Sequence, residues 1–550
     1  MQKQIVCLFI LFLLGFAANV AVKAEQTSRT DIVPVYPELI NESVECIQTG
    51  ISTVPPWIQL NPPWDPNITI PDVYSRNDQL ISMDIDVNGR IYVAYNTPWT
   101  GTGAAVRYGW GLATSTDQGI TWDNRVYRLS NTNYTVFNPE ISITDDGKIW
   151  LWGTLHQAAG GTTYQMCTAF MRSRATCYNN PDSLYGFSLF SALQYRVYPE
   201  CVTWGNGNQL AVIQYTVDRT GTSDSVMVIF SYDSTAWYAF TLRPAGTYPG
   251  MTSISLDVVG TDTILNHAIE YIDSTNGDYD VVCYLDTLNG SGNFYGWSTA
   301  NTYDDRYPSI FADQGAVYIA FQSDDGTGNP EIIFTYSQDY GQNWDMALQN
   351  ISNDGAPDLF PRVNGFSSSV GCAWNHGLNT TFFDYSITYG IPGTWTGVPE
   401  IVTDNATADS GYHCVSLLYT DAYYYCAWED IRNFATDSID ILTSRRTTPI
   451  GIKENTKDRK FVMLNACPNP FARTTAITCG NTAGLGSPKL AIYNTAGRLV
   501  RTLSVPSGRT AACITWDGRN DEGKEANAGV YFCRFESNGS VRTEKLIRLK

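Results

Sequence analysis

Arginines stand at the start of several similar strand-forming segments of this 550-residue sequence, where their side chains could bind a ligand. They are Arg76 in YSRND, Arg196 in YRVYPE, Arg306 in DDRYPS and Arg362 in FPRV. Carboxylates lie beside them, at Asp78, Glu140, Glu200, Asp304, Asp305 and Asp358. Arginines and carboxylates around a concave mouth can hold an anionic or hydroxyl-rich ligand through bidentate hydrogen bonds. The candidate ligand-binding residues are therefore Arg76, Arg196, Arg306, Arg362, Asp305 and Glu200.

The segments that carry these residues form a repeat. A strand, a turn and an apolar strand recur from near residues 80, 138, 198, 251, 307, 360 and 412, a spacing of about 50–60 residues. Turn signals such as VNG, DDG, GNGN and DQG separate the first two strands of most copies. This period is typical of a β-propeller with four-stranded blades. We predict an all-β fold with a propeller of six or seven blades, seven favoured, over residues 76–445.

The propeller explains why the arginines should converge. Loops that lead into the innermost strands meet at one mouth of the central channel, and we expect residues 25–75 to supply a lead-in and an outer strand that closes the ring. Ion pairs between neighbouring blades would explain the same residues as scaffold. A second cluster follows second strands and could line the same mouth, with turn chemistry as the alternative; it contains His376, Glu429, Asp430 and Arg432.

An octapeptide occurs twice, as STDQGITW at 115–122 and SQDYGQNW at 337–344, with degenerate versions at 231–237 and 386–395. Its fixed positions are Ser115, Asp117, Gly119 and Trp122, and Ser337, Asp339, Gly341 and Trp344. Ser and Asp can hydrogen-bond the turn backbone, Gly permits positive φ, and Trp packs into the blade. The motif resembles the Asp-box, or BNR repeat, of sialidase-like propellers. The resemblance implies a structural turn between third and fourth strands at the blade periphery.

Enzymes of the sialidase-like class bind a carboxylated sugar with an arginine triad and use a Tyr nucleophile paired with a Glu, and an Asp acid/base. Their first blade opens with Phe/Tyr-Arg-Ile-Pro, whereas YSRNDQLI here offers only Arg76. No Tyr/Glu pair and no catalytic residue can be assigned. The sequence favours a binding propeller for glycans or proteins. An exo-acting sialidase-like glycoside hydrolase is the alternative, and whether the chain is an enzyme stays open.

The charge balance narrows the partners. With 35 Lys+Arg against 54 Asp+Glu, the formal net charge is −19, which argues against nucleic acid or an anionic membrane as the main partner. The acidic surface favours solubility. Asp-rich loops that bind calcium are the sharper alternative, but no EF-hand-like loop is present. Only four His occur and none has a ligand spacing with Cys, so we predict no metal and no cofactor.

The first 24 residues have the form of a secretory signal peptide: a Lys, an apolar run, and small residues before a cleavage site after Ala24. No later segment approaches the length needed to span a bilayer. We therefore expect an exported mature chain without a transmembrane segment.

Twelve cysteines remain after Cys7, an even number that suggests disulfides in an exported protein. Opposed residues of a hairpin can meet disulfide distances. Hairpin-like spacings predict four pairs: Cys167–Cys177, Cys414–Cys426, Cys467–Cys479 and Cys513–Cys533. Four cysteines receive no pairing, with free buried thiols as the alternative: Cys46, Cys201, Cys283 and Cys372.

A Thr-, Lys- and Arg-rich linker over 446–460 precedes a small Ig-like sandwich predicted for 461–550. Its elements include PNPF at 468–471, IYNTAGRLV at 492–500, WDGRNDEG at 516–523 and AGVYF at 528–532. They resemble the C-terminal sorting domain of the type IX secretion system, and domains of the flagellar hook-capping type share the pattern. The resemblance implies that the secretion machinery is a partner, and that the protein is secreted or placed on the outer cell surface.

Overall fold

The protein is all-β in a computed structural model, with thirty-nine strands and no helix among the described residues. The described residues are 28–29, 33–35, 38–39, 44–51, 64–65, 68–70, 79–100, 107–129, 134–144, 147–157, 163–171, 183–192, 199–205, 209–217, 225–231, 236–243, 250–259, 262–272, 277–287, 295–299, 301–341, 343–345, 348–366, 369–377, 380–385, 395–403, 415–420, 423–430, 440–447, 464–467, 471–480, 489–495, 497–505, 511–537 and 540–549. Within these ranges no helix is long and apolar enough to cross a membrane. The predicted signal peptide and most of the predicted linker lie outside them. The chain divides into two compact units, Met1–Ile452 and Lys453–Lys550.

The described part of the first unit contains seven antiparallel sheets, named here in the chain order of their first strands. The first three sheets carry extra outer strands from the N-terminal segment. The first consists of β6 (Gln79–Ile85), β7 (Ile91–Thr100), β8 (Arg107–Ser115), β9 (Asp123–Leu129) and β4 (Val44–Ile51). The second consists of β10 (Tyr134–Ile143), β11 (Ile149–Gln157), β12 (Thr163–Met171), β13 (Ser183–Ala192) and β3 (Glu38–Leu39). The third consists of β14 (Pro199–Gly205), β15 (Gln209–Val217), β16 (Ser225–Ser231) and β17 (Trp237–Arg243), with β1 (Ser28–Arg29) and β2 (Val33–Val35) on β17.

The other four sheets have four strands each. The fourth consists of β18 (Thr252–Val259), β19 (Asp262–Ile272), β20 (Tyr279–Thr287) and β21 (Tyr295–Ser298). The fifth consists of β22 (Asp304–Asp313), β23 (Ala316–Asp324), β24 (Glu331–Ser337) and β25 (Gln349–Asn350). The sixth consists of β26 (Asp358–Phe366), β27 (Ser369–His376), β28 (Thr380–Tyr385) and β29 (Glu400–Ile401). The seventh consists of β30 (Ser416–Tyr419), β31 (Tyr423–Asp430), β32 (Asp440–Thr447) and β5 (Ile68–Thr69).

The first strands of the seven sheets form a closed cycle of contacts. Strand β6 contacts β10, and the series continues through β14, β18, β22, β26 and β30 back to β6. Such a cycle places the first strands around a central channel, as in a β-propeller. The predicted all-β propeller fold is confirmed.

Apolar contacts between consecutive sheets form the core of this unit. Cys283 and Trp297 of the fourth sheet pack with Ile310 and Ile319 of the fifth. Second strands are covered on both faces, so Ala320 and Phe321 in β23 are both fully buried although they point to opposite sides. This double burial explains why second strands read as continuous apolar runs in the sequence.

The N-terminal segment borders four sheets in turn. Its strands β1 and β2 pair with β17 of the third sheet, β3 with β13 of the second, and β4 with β9 of the first. Strand β5 then pairs with β32 as the outer strand of the seventh sheet. Residues from before the first repeat therefore complete the sheet formed by the last one.

The Asp-box turns lie between the third and fourth strands of their sheets. In the first turn the Ser115 hydroxyl donates to Asp117 (2.8 Å) and accepts from the Gly119 N–H (2.8 Å), while Asp117 accepts from the Thr121 N–H. Ser337, Asp339, Gly341 and Asn343 repeat this network in the fifth sheet. The turns are therefore closed by their own side chains, as the resemblance implied.

The Trp that ends each Asp-box packs against the preceding sheet. Trp122 of the first sheet joins Leu418 and Tyr425 of the seventh in one buried cluster. Trp344 of the fifth stacks on Trp297 of the fourth, with ring centroids 5.5 Å apart. The degenerate copies behave alike: Trp237 lies 5.7 Å from Trp152 of the second sheet, and Trp395 lies 4.8 Å from Phe334 of the fifth. The motif therefore joins neighbouring sheets at the periphery.

The second unit is a two-sheet sandwich. One sheet contains β33 (Leu464–Cys467), β34 (Thr475–Gly480) and β37 (Ala511–Trp516); the other contains β36 (Leu499–Ser504), β35 (Lys489–Asn494), β38 (Gly529–Ser537) and β39 (Ser540–Arg548). Trp516 of the first sheet packs with Phe471 and with Tyr531 of the second, at 5.3 Å in each case. The predicted Ig-like fold of the tail is confirmed.

The cysteine predictions fail where the structure describes the sulfurs. Among the described residues the structure contains no disulfide, so the pairings Cys414–Cys426 and Cys513–Cys533 are not supported. The β-register gives the reason: Cys426 lies opposite Leu417, and Cys533 of β38 belongs to a different sheet from Cys513 of β37.

The other two predicted pairs, Cys467–Cys479 and Cys167–Cys177, rest on cross-strand positions that the structure does not show. Cys467 lies opposite Ala476, and Cys479 lies opposite Leu464, so the two are out of register. Cys167 lies opposite Gly153 and Gly186, and Cys177 lies outside the described residues. Three of the unassigned cysteines are buried free thiols: Cys201, Cys283 and Cys372. The backbone of Cys46 lies in β4, opposite Tyr127.

Candidate functional site

A β-bulge interrupts the first strand of four sheets at the same place. The register shifts lie between Gln79 and Ser82, Phe137 and Glu140, Arg306 and Ser309, and Leu359 and Arg362. In three of them a residue with positive φ precedes a proline: Asn138 (50°), Tyr307 (52°) and Phe360 (54°). Bulges redirect the side chains of the strand that carries them, and non-glycine residues at positive φ are uncommon. A dipeptide of Asn or an aromatic residue followed by proline thus marks this bulge in the sequence.

The residues that follow these prolines define one layer of the channel, here called the post-proline layer. By alignment of the bulges, and of Pro199 in the sequence, its members are Ser82, Glu140, Glu200, Ser309 and Arg362. Arg306 stands three residues earlier than this layer in its own strand. The two described arginines among the candidates therefore occupy different levels.

Arg362 meets two carboxylates across the ring. Its positive charge acts on both Glu140 of β10 and Glu200 of β14. Strand β26 borders β22 and β30 in the ring, so Arg362 can approach β10 and β14 only through the centre. All three side chains are partly exposed, as expected for groups that line a channel. The charges therefore converge near the propeller axis.

Burial raises the pKa of the Glu200 carboxyl to about 7, although Arg362 opposes the shift. Burial and the nearby Glu200 charge raise the pKa of Glu140 well above its ordinary value, against the Ser82 hydrogen bond and Arg362. The Ser82 hydroxyl donates to Glu140 at 2.7 Å. Two neighbouring carboxyls with raised pKa values retain a proton near neutral pH. The pair can therefore donate and accept hydrogen bonds, or a proton.

Arg306 is bound to the neighbouring sheet. Its guanidinium lies 3.1 Å from Glu270 Oε1, and the Tyr307 N–H donates to Glu270 Oε2 at 2.9 Å. A Cβ at Gly250 would collide with the Glu270 carboxylate, so glycine leaves the space for this pair. The pair joins β19 of the fourth sheet to β22 of the fifth. This is the scaffold role that the sequence left open for the arginines.

Aromatic rings lie beside Arg306. Its guanidinium stands 4.0 Å from the Tyr279 ring centroid and 5.0 Å from that of Tyr307. Tyr307 in turn packs edge-on against Phe360 of the sixth sheet, at 4.7 Å. Both bulge aromatics are partly exposed. They can present apolar ring surface next to Arg362.

Short polar side chains join the first strands of adjacent sheets. The Ile310 N–H donates to Ser253, and the Val363 N–H donates to Ser309. Asp257 accepts from the N–H groups of Gln314 and Gly315. Equivalent bonds run from Ile141 to Ser82 and from Ile143 to Asp84. Sequence reasoning missed this pattern, although alternating Ser and Asp in ISMDID and ISLD showed it.

The remaining candidates lie apart from the post-proline layer. Asp305 is fully buried and accepts from Asn301 at 2.7 Å, and burial raises its pKa to about 7. Asp304 is exposed and accepts from the Tyr279 N–H. Glu429 and Asp430 are fully buried in β31, and Trp428 donates to Asp430. His376 pairs with Asp358 in the sixth sheet. Four candidates fall outside the described residues: Arg76, Asp78, Arg196 and Arg432.

The comparisons with known proteins give one family match, in the tail, and a set of solved structures with low sequence identity. The FlgD Ig-like domain family matches residues 471–540. Among solved structures, Hadza microbial sialidase Hz136 is 15% identical over 55% of this chain and 64% of its own length, with a TM-score of 0.38. The alpha-L-arabinanase of Penicillium chrysogenum is 11% identical over 70% and 98% (TM-score 0.39), and the Trypanosoma rangeli sialidase bound to DANA is 10% identical over 85% and 84% (0.33).

The chain thus spans less than two thirds of the Hadza sialidase. No curated protein sequence is significantly similar to this chain. The solved structures named above are all less than 25% identical to this chain, and the family match is confined to residues 471–540 of the tail.

Proposed function

We propose that the protein is an exported propeller that binds a neutral, hydroxyl-rich glycan at the channel mouth. The observation that carries the proposal is the convergence of Glu140, Glu200 and Arg362 across the ring. Sugar hydroxyls both donate and accept, and a mixed set of carboxyls and a guanidinium offers partners for both roles. Tyr307 and Phe360, which pack on each other and are partly exposed, can supply apolar ring surface at the bulges.

Charge balance selects a neutral ligand. Arg306 is neutralised by Glu270, and Arg362 is faced by two carboxyls. Near neutral pH the two carboxyls retain one proton, so one negative charge remains to balance Arg362 and would repel an anionic sugar. This balance disfavours a sialic acid carboxylate as the group recognised at the described part of the mouth.

We further propose seven blades, one for each sheet. The closed cycle of seven first strands supports this number. The predicted signal peptide and the Ig-like tail support export, with the type IX secretion machinery as partner and a secreted or surface-attached product.

Binding is tested by calorimetric titration of the full chain with neutral oligosaccharides and their sialylated counterparts. Arg362→Ala is expected to weaken binding of a neutral ligand at least tenfold. The matched control is Arg445→Ala. Arg445 lies in β32, the third strand of the seventh sheet, and forms an ion pair with Asp65. Equal losses in both variants, or a preference for the sialylated ligands, would contradict the proposal.

A glycoside hydrolase of the sialidase-like, exo-acting class is the second candidate. It is favoured by one observation, the neighbouring carboxyls of Glu140 and Glu200 with raised pKa values, since paired carboxyls can serve as general acid and base. The test is hydrolysis of a panel of aryl glycosides, sialosides included. Glu200→Gln should abolish turnover, whereas Arg306→Ala should alter it through folding alone. Turnover that survives Glu200→Gln, or none on any substrate, rejects the enzyme.

A further inference from the structure

Two carboxylates and one imidazole meet where the sixth sheet begins. His376 Nδ1 lies 2.9 Å from Asp358 Oδ1 and 3.4 Å from Asp354 Oδ2. Asp358 opens β26 and stands opposite His376 at the end of β27, while Asp354 precedes the strand. One possible ligand atom from each residue lies within 4.8 Å of the others.

Asp358 carries an unsatisfied buried oxygen. The residue is fully buried, and its Oδ1 accepts from Trp374 Nε1 at 2.9 Å besides facing His376. Its Oδ2 is buried and makes no hydrogen bond of standard geometry, with the Ser352 side chain as the further polar group that acts on this carboxylate. A buried carboxylate oxygen left without a donor is costly. A cation bound by this carboxylate would remove that cost.

The separations fit a common metal ion. Zinc binds imidazole nitrogen at about 2.0–2.1 Å and carboxylate oxygen at about 2.0–2.2 Å. Two such ligand atoms are about 3.0 Å apart at a right angle and about 3.4 Å apart at a tetrahedral angle. The observed distances from His376 Nδ1 are 2.9 and 3.4 Å. The two carboxylate oxygens lie within 4.8 Å of each other, so binding an ion would require Asp354 to move toward Asp358 by at most about 1.4 Å.

We propose that Asp354, Asp358 and His376 bind a divalent first-row transition ion, with zinc as the reference ion. One imidazole with two carboxylates suits such ions better than calcium, which prefers oxygen ligands alone. The His376 ring is held flat against Phe382, with centroids 4.0 Å apart. The Asp354 side chain is 38% exposed, which gives the ion a path from solvent and leaves coordination positions for water.

The site would tie the loop before β26 to the end of β27. Strand β26 carries Phe360 and Arg362 a few residues later, so the ion would brace the bulge that forms part of the mouth. The proposal does not depend on the glycan proposal, because its residues lie outside the post-proline layer. The sequence predicted no metal because none of its four His has a ligand spacing with Cys. Asp358 and His376 are eighteen residues apart, and only the β-register brings them together.

The test uses the full chain, freed of metal by a chelator and dialysed against zinc at neutral pH. Bound metal is measured by mass spectrometry. We expect one zinc per chain, with affinity at least tenfold weaker in both Asp354→Asn and His376→Gln. Asp325→Asn, which changes an exposed carboxylate outside the cluster, is the matched control and should bind like the natural chain. Circular dichroism checks that each variant is folded.

X-ray absorption at the zinc edge identifies the ligands. A first shell of nitrogen and oxygen supports the proposal. A shell that contains sulfur would assign the zinc to cysteines and overturn it. Absence of stoichiometric zinc, or unchanged binding in both Asp354→Asn and His376→Gln, would overturn it as well.

Discussion

Arg306 and Arg362 look alike in the sequence, because each lies close to a proline at the start of a repeat. Their interactions in the structure nevertheless differ. Arg306 precedes the bulge and is paired with Glu270 of the adjacent sheet. Arg362 follows the bulge and faces the carboxyls of Glu140 and Glu200 across the channel. Three residues along a bulged strand thus separate a scaffold ion pair from a residue of the mouth.

The raised pKa of Glu200 predicts a pH-dependent stability. Between about 4.5 and about 7 the folded protein keeps a proton that the unfolded chain has released, so the free energy of unfolding falls as pH rises through this range. Glu200→Gln should reduce this fall in the free energy of unfolding by roughly 2 kcal/mol, a value lowered to account for the partial exposure of the Glu200 side chain. Urea unfolding at pH 5 and pH 8 measures it.

Glu522→Gln, a change of an exposed carboxyl in the tail, is the control and should leave the pH dependence as it is. An equal pH dependence in Glu200→Gln and the natural chain would show that Glu200 ionises in the folded protein as it does in the unfolded one.

At the scale of elements, neighbouring sheets are in contact at two distances from the propeller axis. Near the axis, Ser and Asp side chains of one first strand accept N–H groups of the next. At the periphery, the Asp-box Trp packs on the preceding sheet. The inner joint satisfies buried backbone donors, and the outer joint buries apolar area.

The inner joint predicts a specific loss. Ser253→Ala leaves the Ile310 N–H without its acceptor, which should lower the free energy of unfolding by about 1–3 kcal/mol. Thr327→Ala at an exposed turn is the control and should change it by less than about 0.5 kcal/mol. Equal stability of the two variants in urea unfolding would show that water replaces the serine.

The outer joint predicts a larger loss. Trp122 is 1% exposed, and Trp122→Ala should cost about 3–5 kcal/mol through the cavity that it leaves. Ser115→Ala, which removes one hydroxyl from the same turn, should cost only about 1–2 kcal/mol. Thermal unfolding ranks the two. A larger effect of Ser115→Ala would mean that the turn, and not the Trp, holds the sheets together.

Sequence reasoning reached the repeat, the propeller, the Asp-box turns and the Ig-like tail, because each has a local pattern. It missed the hydrogen bonds that Ser253 and Asp257 accept from the next sheet, and its cysteine pairings are not supported. Both depend on the register between strands, which has no local pattern. Cys467 and Cys479 have a hairpin spacing, but the strands are paired three residues away from it. Glu140 and Glu200 could have been aligned with Arg362 through their prolines. Their meeting across the channel depends on the closed ring.

At the scale of the whole molecule, the two compact units predict separable behaviour. A chain truncated after residue 452 should bind the glycan as the full chain does, because the mouth lies entirely in the first unit. In a host with a type IX system it should remain inside the outer membrane. Immunoblots of the culture medium and of the periplasm measure this. Release of the truncated chain would remove the sorting role proposed for the tail.

Strand β5, which completes the seventh sheet, also constrains the order in which the propeller can fold. Thr69 pairs with Leu442, so β5 cannot find its partner until β32, which lies far along the chain, has been synthesised. Contacts so distant along the chain slow folding. Until β32 is available, the ring stays open and the edge of the seventh sheet is uncovered. Closure of the ring is therefore expected to be a late event in folding, because it requires β5 and β32 to be present together.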